Sequence, residues 1–206
     1  MAALHASMSE TRLRRGDVLF HEGDAGDKLY VVLEGKVKLG RTSSDGRENL
    51  LAIMGPGQMF GELSLFDPGP RSATVTAVTD ASFASLSHED LLKWLDGRPV
   101  VARGLLAQLA GRLRKANDVV ADLVFSDVPG RVAKALLDLA DRFGRTADDG
   151  VHVHHDLTQE ELAQLVGASR ETVNKALADF AARGWLRLEP RSVVIMDVER
   201  MARRAR

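Results

Sequence analysis

The 206-residue chain has no cysteine. Disulfides, thiolate zinc sites, Cys-ligated iron–sulfur clusters and cysteine nucleophiles are therefore excluded together. Neither sign of charge is in real excess: 28 Lys plus Arg stand against 29 Asp plus Glu, for a net charge of −1. Nothing draws the chain as a whole to nucleic acid or to an anionic membrane. Basic and acidic residues also nearly balance within 129–206, so any nucleic-acid surface there must be a local patch. No apolar run approaches the length of a membrane span, and Met1 to Glu10 holds no apolar core of the kind a signal peptide needs. A cytoplasmic protein without a membrane partner is expected.

What the chain does have is a long helical stretch between two unlike halves. From Glu89 to Phe125 the apolar pattern is interrupted only at Arg98-Pro99. Ala102, Leu106, Leu109, Leu113, Ala116, Val120 and Leu123 alternate spacings of four and three, which is a heptad seam. Arg103, Gln108, Arg112, Arg114, Lys115 and Asp118 flank it, so the helix needs water on one side and one partner on the other. The simplest partner is the same helix of a second copy about a twofold axis, and a homodimer is predicted. A helix lying on its own subunit's sheet is the other reading.

The first half reads as β. Short runs such as Val18-Leu19-Phe20, 29–33, 37–39, 49–54, 73–78 and 82–86 are punctuated by Gly23-Asp24, Gly26-Asp27, Glu34-Gly35, Asp45-Gly46 and Gly55-Pro56-Gly57. This suggests a sandwich or jelly roll, with Asp45-Gly46 as a hairpin tip. Ala2 to Ser9 reads as the start of a short helix. One stretch, 60–73, breaks the strand texture. Gly61 lets backbone N–H groups approach a ligand. The planar fork of Arg71 fits a phosphodiester with two hydrogen bonds, Ser72 can add a third, and Glu62 suits a sugar hydroxyl. A Glu62–Arg71 ion pair closing an ordinary loop is the plainer alternative.

The second half reads as helical. Asp127 can cap a new helix with Pro129 in its first turn, which makes 125–129 a hinge. Val132, Leu136, Leu139, Ala140 and Phe143 line one face until Gly144, and 145–150 reads as a polar loop. His152, His154 and His155 lie close together but lack a third ligand at fixed spacing, so 151–155 reads as a solvated strand edge and no metal is expected. Thr158-Gln159-Glu160-Glu161 is a capping box. A short helix, a Gly167-Ala168 turn and a second helix capped by Ser169 follow. Val173, Ala176, Leu177 and Phe180 form the inward stripe of that helix and leave Arg170, Glu171, Asn174 and Lys175 outward near its N-terminus. Helix, tight turn and helix with polar residues leading is a helix-turn-helix, whose second helix enters the major groove. Residues 185–188 and 193–196 read as a two-stranded wing, with Arg183, Arg187 and Arg191 placed to meet phosphates.

Gly61-Glu62-Leu63, Arg71-Ser72-Ala73 and Ser169-Arg170-Glu171-Thr172-Val173 together make Arg12 to Arg206 resemble the CRP/FNR family of bacterial transcription regulators, most closely its actinobacterial members. The resemblance implies an α+β fold: an N-terminal cyclic-nucleotide-binding β-roll over 1–88, a dimerisation helix over 89–126 and a winged helix-turn-helix over 127–206. It implies that Glu62 takes the ribose 2′-hydroxyl, that Arg71 and Ser72 take the cyclic phosphate of cAMP, and that Ala116 and Asn117 stand where the family reads the base. Ala116 forgoes a hydrogen bond there. On the DNA side it implies Ser169, Arg170, Glu171, Asn174 and Lys175 at a palindromic site, with Thr158, Arg187 and Arg191 beside them, and RNA polymerase as a partner. No enzyme activity is expected. The rival readings are a nucleotide-independent DNA-binding dimer with a vestigial pocket, which Ala116 favours, and a haem-bound gas sensor using His21 or His88. Family members usually carry a further helical segment before the first strand.

Overall fold

The computed structural model describes residues 9–67 and 69–206. The chain divides into two compact units, with the division between Lys115 and Ala116. The expected helix over Ala2 to Ser9 lies outside the described residues except for Ser9, which begins a strand.

In the first unit, β1 (Ser9–Leu13), β8 (Ala81–Ser87), β3 (Lys28–Glu34) and β6 (Met59–Phe60) form one antiparallel sheet in that order. A second antiparallel sheet runs β2 (Val18–Phe20), β7 (Thr74–Ala77), β4 (Val37–Thr42) and β5 (Glu48–Met54). Strand alternation puts Val32, Phe60 and Phe83 of the first sheet against Val37, Met54 and Val75 of the second, forming one buried core. Tyr30 stacks on Phe60 at 5.4 Å between ring centres, and Phe83 stands edge-on to Phe60 at 5.7 Å. The Asp45-Gly46 hairpin forms as read, with Gly46 at φ +81°. The outer face of the first sheet is covered by α2 (His88–Leu95), which buries Leu91 against Leu29 and Leu86.

Asp96 to Arg98 breaks the long helical stretch, with Gly97 at φ +67°, and α3 (Pro99–Phe125) then runs for 27 residues. None of its residues is buried. Leu105 leans on the α2 cluster, but along the heptad seam Leu106, Leu113, Val120 and Leu123 are 66%, 64%, 62% and 51% exposed.

In the second unit Asp127 caps α4 (Val128–Phe143) by accepting from the Gly130 N–H at 2.9 Å, with Pro129 in the first turn as read. The core joins Val132, Leu136 and Leu139 of α4 to Leu162 and Val166 of α5 (Gln159–Val166), Val173, Leu177 and Phe180 of α6 (Arg170–Ala182), and Met201 of α7 (Val198–Arg204). Two expectations are corrected here. The stretch read as a polar loop contains β9 (Gly144–Ala147), whose GRTA sequence has no apolar alternation to announce it. Residues 151–155 are no solvated edge: β10 (Gly150–Val153) lies inside a four-stranded sheet of order β11 (Leu186–Glu189), β12 (Ser192–Ile195), β10, β9. His155 is buried there and accepts from the Leu157 N–H through Nδ1 at 3.1 Å. The wing is thus one edge of a larger sheet. Among the described residues no cluster of His, Asp and Glu could hold a metal, and no helix is long and apolar enough to cross a membrane.

Gly35, at φ +79° in the β3–β4 turn, would place a Cβ 2.2 Å from the Asp80 carbonyl, whereas Gly46 has open space around it. Gly46→Ala should cost about 1–2 kcal/mol through left-handed backbone strain alone. Gly35→Ala should cost clearly more in urea denaturation, since backbone must also move. Equal losses for the two variants would refute the steric part of this account.

Candidate functional site

In the first unit the broken stretch folds into α1 (Leu63–Phe66) and a return loop. The backbone of Arg71 is pinned on both sides: its N–H donates to the Asp24 carbonyl at 2.8 Å, and its carbonyl accepts from the Gly23 N–H at 2.9 Å. Its guanidinium turns inward and is only 4% exposed. It sits 4.3 Å over the Phe20 ring and donates through Nη1 to the Gly61 carbonyl at 2.9 Å. Gly61 is required at φ +79°, because a Cβ there would meet that Nη1 at 2.8 Å. Burial pushes the Tyr30 phenol up, with the Arg71 charge working in the opposite direction.

Glu62 is 2% exposed, and it does not pair with Arg71. Its Oε1 accepts from Arg112 Nη1 of α3 at 2.5 Å, and the same guanidinium donates through Nη2 to the Met59 carbonyl. The plainer alternative of a Glu62–Arg71 ion pair is therefore absent. At this site two enclosed atoms, Glu62 Oε2 and Arg71 Nε, have no partner among the described residues. Both belong to residues lining one cavity of about 60 Å³, with Phe20, Leu39, Gly61, Leu63, Ser64, Ser72, Ala73, Val75 and Arg112. Buried opposite charges that each keep a free hydrogen-bonding atom can together grip a ligand that is anionic at one end and carries a hydroxyl donor at the other.

Sequence reasoning placed Gly61, Glu62, Leu63, Arg71 and Ser72 here, and the fold brings them together. It counted Arg112 only as a flanking charge, and no local signal ties it to a residue fifty positions earlier. It read Gly26 only as a turn, yet a Cβ on Gly26 would lie 2.4 Å from Ser64 and 3.1 Å from Arg71 Nε. Ala116 and Asn117 are exposed on α3 and are not among the cavity walls. His21 and His88 are exposed and outside it as well.

In the second unit the helix-turn-helix is set by its caps. Thr158 Oγ1 accepts from the Glu161 N–H at 3.1 Å while Glu161 accepts from the Thr158 N–H at 2.7 Å, which completes the capping box. Gly167 takes φ +68° to end α5. Ser169 caps α6 by accepting from the Thr172 N–H at 3.2 Å. Arg170, Glu171 and Lys175 are exposed on α6, the last two joined by a 2.7 Å ion pair. Asn174 is half-buried beside the inward stripe, and its Oδ1 is enclosed with no partner among the described residues. At the wing, Arg191 is exposed and occupies φ +57°, while Arg187 is bound by Asp149 at 2.8 Å and Glu189 at 3.3 Å. A phosphate can still reach the remaining N–H groups of Arg187, but beside two carboxylates that offset its charge.

A β-roll with a charged cavity, a long helix, and a winged helix-turn-helix presenting exposed charges at the head of its second helix are together the architecture of a DNA-binding regulator. Comparison with known proteins makes the class specific. Residues 10–98 match the cyclic nucleotide-binding domain and residues 130–204 the Crp-like helix-turn-helix domain. The chain is 58% identical over 206 residues to a CRP-like cAMP-activated global transcriptional regulator of Mycobacterium tuberculosis, covering 100% of this chain and 92% of that one. It is 42% identical over 183 residues to the cyclic AMP receptor protein of Thermus thermophilus, covering 89% of this chain and 82% of that one. The solved structure of FixK2 from Bradyrhizobium japonicum superposes with a TM-score of 0.84 at 26% identity, covering 95% and 96% of the two chains. The chain belongs to the CRP/FNR family of transcription regulators and is a DNA-binding regulator.

Asp149 is held down to about 2, first by Arg187 and then by His152. Because the folded value is depressed, the contribution of this carboxylate is complete above its unfolded value near 4 and fades as pH falls through about 2. Carboxyl NMR titration should find its midpoint there, and Arg187→Gln should raise it. A midpoint unchanged by the substitution would show that the wing pair does not persist in solution.

Proposed function

We propose that the chain is a cAMP-responsive homodimer that binds palindromic duplex DNA. The observation that carries the effector reading is Arg71: a buried guanidinium with no carboxylate partner and a free Nε, sharing one cavity with the free Oε2 of Glu62. Burying a charge without a counter-ion is costly unless an anion completes it. A cyclic phosphate supplies one negative charge in the geometry of the guanidinium fork, with Ser72 as a further donor, and the ribose 2′-hydroxyl supplies the donor that Glu62 Oε2 lacks. Gly61 and Leu63 shape the turn that holds these groups. Asn117 offers an amide for a purine edge, and Ala116 offers none. The names of the mycobacterial and Thermus relatives support cAMP as the nucleotide.

The DNA reading rests on Arg170, Glu171 and Lys175, with Asn174 beside them and Ser169, Thr158, Arg187 and Arg191 toward the phosphates. The fork of Arg170 suits the O6 and N7 of guanine, and Glu171 suits a cytosine amino group once it is released from Lys175. Dimerisation is supported by the α3 stripe, whose residues stay exposed in one chain. Two copies paired along it would present two α6 helices to two half-sites. Family membership supports RNA polymerase as a partner and the cytoplasm as the location. The rival reading, a nucleotide-independent dimer, is favoured by Ala116 alone.

Two sets of measurements, one on the effector and one on the dimer, test this proposal. Isothermal titration with cAMP should show saturable heat for the wild type and at least about a tenfold loss of affinity for Arg71→Ala, with the fold retained. DNA binding by the wild type should strengthen when cAMP is added. No heat at millimolar cAMP, or DNA binding indifferent to it, would sink the effector reading. In the second, Leu113→Glu sets like charges across the seam, so sedimentation at micromolar concentration should shift from dimer to monomer. A variant that stays dimeric would move the interface elsewhere.

A further inference from the structure

The second unit holds a three-way junction built on one side chain. Arg131, in the first turns of α4, donates through Nη1 to the Ser126 carbonyl at 2.9 Å, through Nε to the Val166 carbonyl at 3.1 Å and through Nη2 to the Gly167 carbonyl at 3.3 Å. The first acceptor lies just beyond the end of α3. The other two close α5 at the turn of the helix-turn-helix. The last carbonyls of a helix have no partner within it and carry the negative end of its dipole. At the end of α5 the Gly167 and Ala168 N–H groups satisfy the carbonyls of Gln164 and Ala163, which leaves those of Val166 and Gly167 to Arg131.

Two further contacts join the same elements. Lys134 of α4 pairs with Asp122 of α3 at 2.6 Å. A Cβ built on Gly167 would meet Leu123 of α3 at 3.3 Å, so the turn and the last part of α3 lie in direct contact. This agrees with the division of the chain between Lys115 and Ala116, which groups the end of α3 with the DNA-binding unit. The joint at 125–129 is therefore tied on both sides.

We propose that Arg131 is a positioning residue for DNA recognition, locking the end of the linker helix to the helix-turn-helix turn so that a rotation of the one carries the recognition helix with it. The proposal rests on the DNA-binding reading above. It requires arginine because three separate nitrogens each serve a different carbonyl. A lysine ammonium keeps the charge at both helix ends but cannot span the three acceptors in this fork.

The test is Arg131→Lys in the full chain, with Arg131→Gln as the substitute if the lysine variant does not fold. Hydrogen exchange should accelerate by roughly tenfold both at Ser126 and Asp127 and at Gly167 and Ala168, with the α4 interior unchanged. Affinity for a palindromic duplex selected by the wild type from a randomised pool should fall about tenfold, while cAMP affinity at the Arg71 cavity stays the same. Acceleration at the turn alone, acceleration at neither place, or wild-type operator affinity despite acceleration at both would each overturn the proposal. The exchange measurement needs neither nucleotide nor DNA. If the wild type proved indifferent to cAMP, the effector reading would fail while the lock was still judged on its own evidence.

Discussion

A helix of 27 residues with none of them buried is the constraint around which the chain is arranged. Good helix formers such as Ala, Leu, Arg and Lys dominate its middle, so the backbone conformation is not the difficulty. The difficulty is the apolar stripe: leucines and valines at heptad spacing stand in water, and the hydrophobic effect penalises each of them. A stripe this narrow, bordered by charges, cannot sink into a sheet without dragging those charges along. It can meet a second stripe like itself. Leu105 and Arg112 lie toward the edge of the stripe, and these are the residues that the helix turns toward its own β-roll. The division of labour is thus written around the helix circumference, one edge for the roll and the centre left open.

The cavity of the first unit follows a related economy of partners. Had Glu62 and Arg71 paired with each other, the cavity would be electrostatically complete, and a ligand would have to break that pair before gaining anything. Arg112 instead takes half of Glu62, while Gly61 and the Phe20 ring hold Arg71 in place without neutralising it. A carbonyl and an aromatic face orient a cation at modest strength and leave its charge available. Wherever a residue wider than glycine would intrude, at Gly26 and Gly61, the sequence has glycine.

Much of this was legible from sequence because the signals are local. The caps at Asp127, Thr158 and Ser169 depend on residues three positions apart, and the longer strands of the roll alternate visibly between glycine turns. The features that escaped notice lack such a period. Strand β1 has a single apolar residue in Ser-Glu-Thr-Arg-Leu, β6 is two residues long, and Gly-Arg-Thr-Ala of β9 is a strand only because β10 pairs with it. The polarity of the histidines of 152–155 is visible and points to a solvated edge, while β9 on one side of β10 gives no signal and β12 on the other is legible only as half of a two-stranded wing. Half-burial of Asn174 escaped for a simpler reason: it sits one position after Val173, at the margin of the inward stripe, where helical spacing does not decide which way a short amide turns. The partner of Glu62 was invisible for the most basic reason, that a contact across fifty residues leaves no periodic trace.

Continuity of α3 gives the two halves their physical connection. Arg112, fixed to Glu62 and the Met59 carbonyl, is one helical turn before Ala116 and a little more than one before Asn117. No glycine or proline interrupts the helix from there to Phe125, so its hydrogen bonds resist bending and twisting over this length. A ligand hydroxyl that binds Glu62 Oε2 adds to the same carboxylate that anchors Arg112, and it biases that anchor in proportion to its own differential affinity. A stiff helix would pass such a bias along as rotation, where a flexible linker would dissipate it. At the far end of α3 the Ser126 carbonyl is already committed to Arg131. Within the second unit 125–129 is therefore tied on both flanks by side chains and is not a free linker.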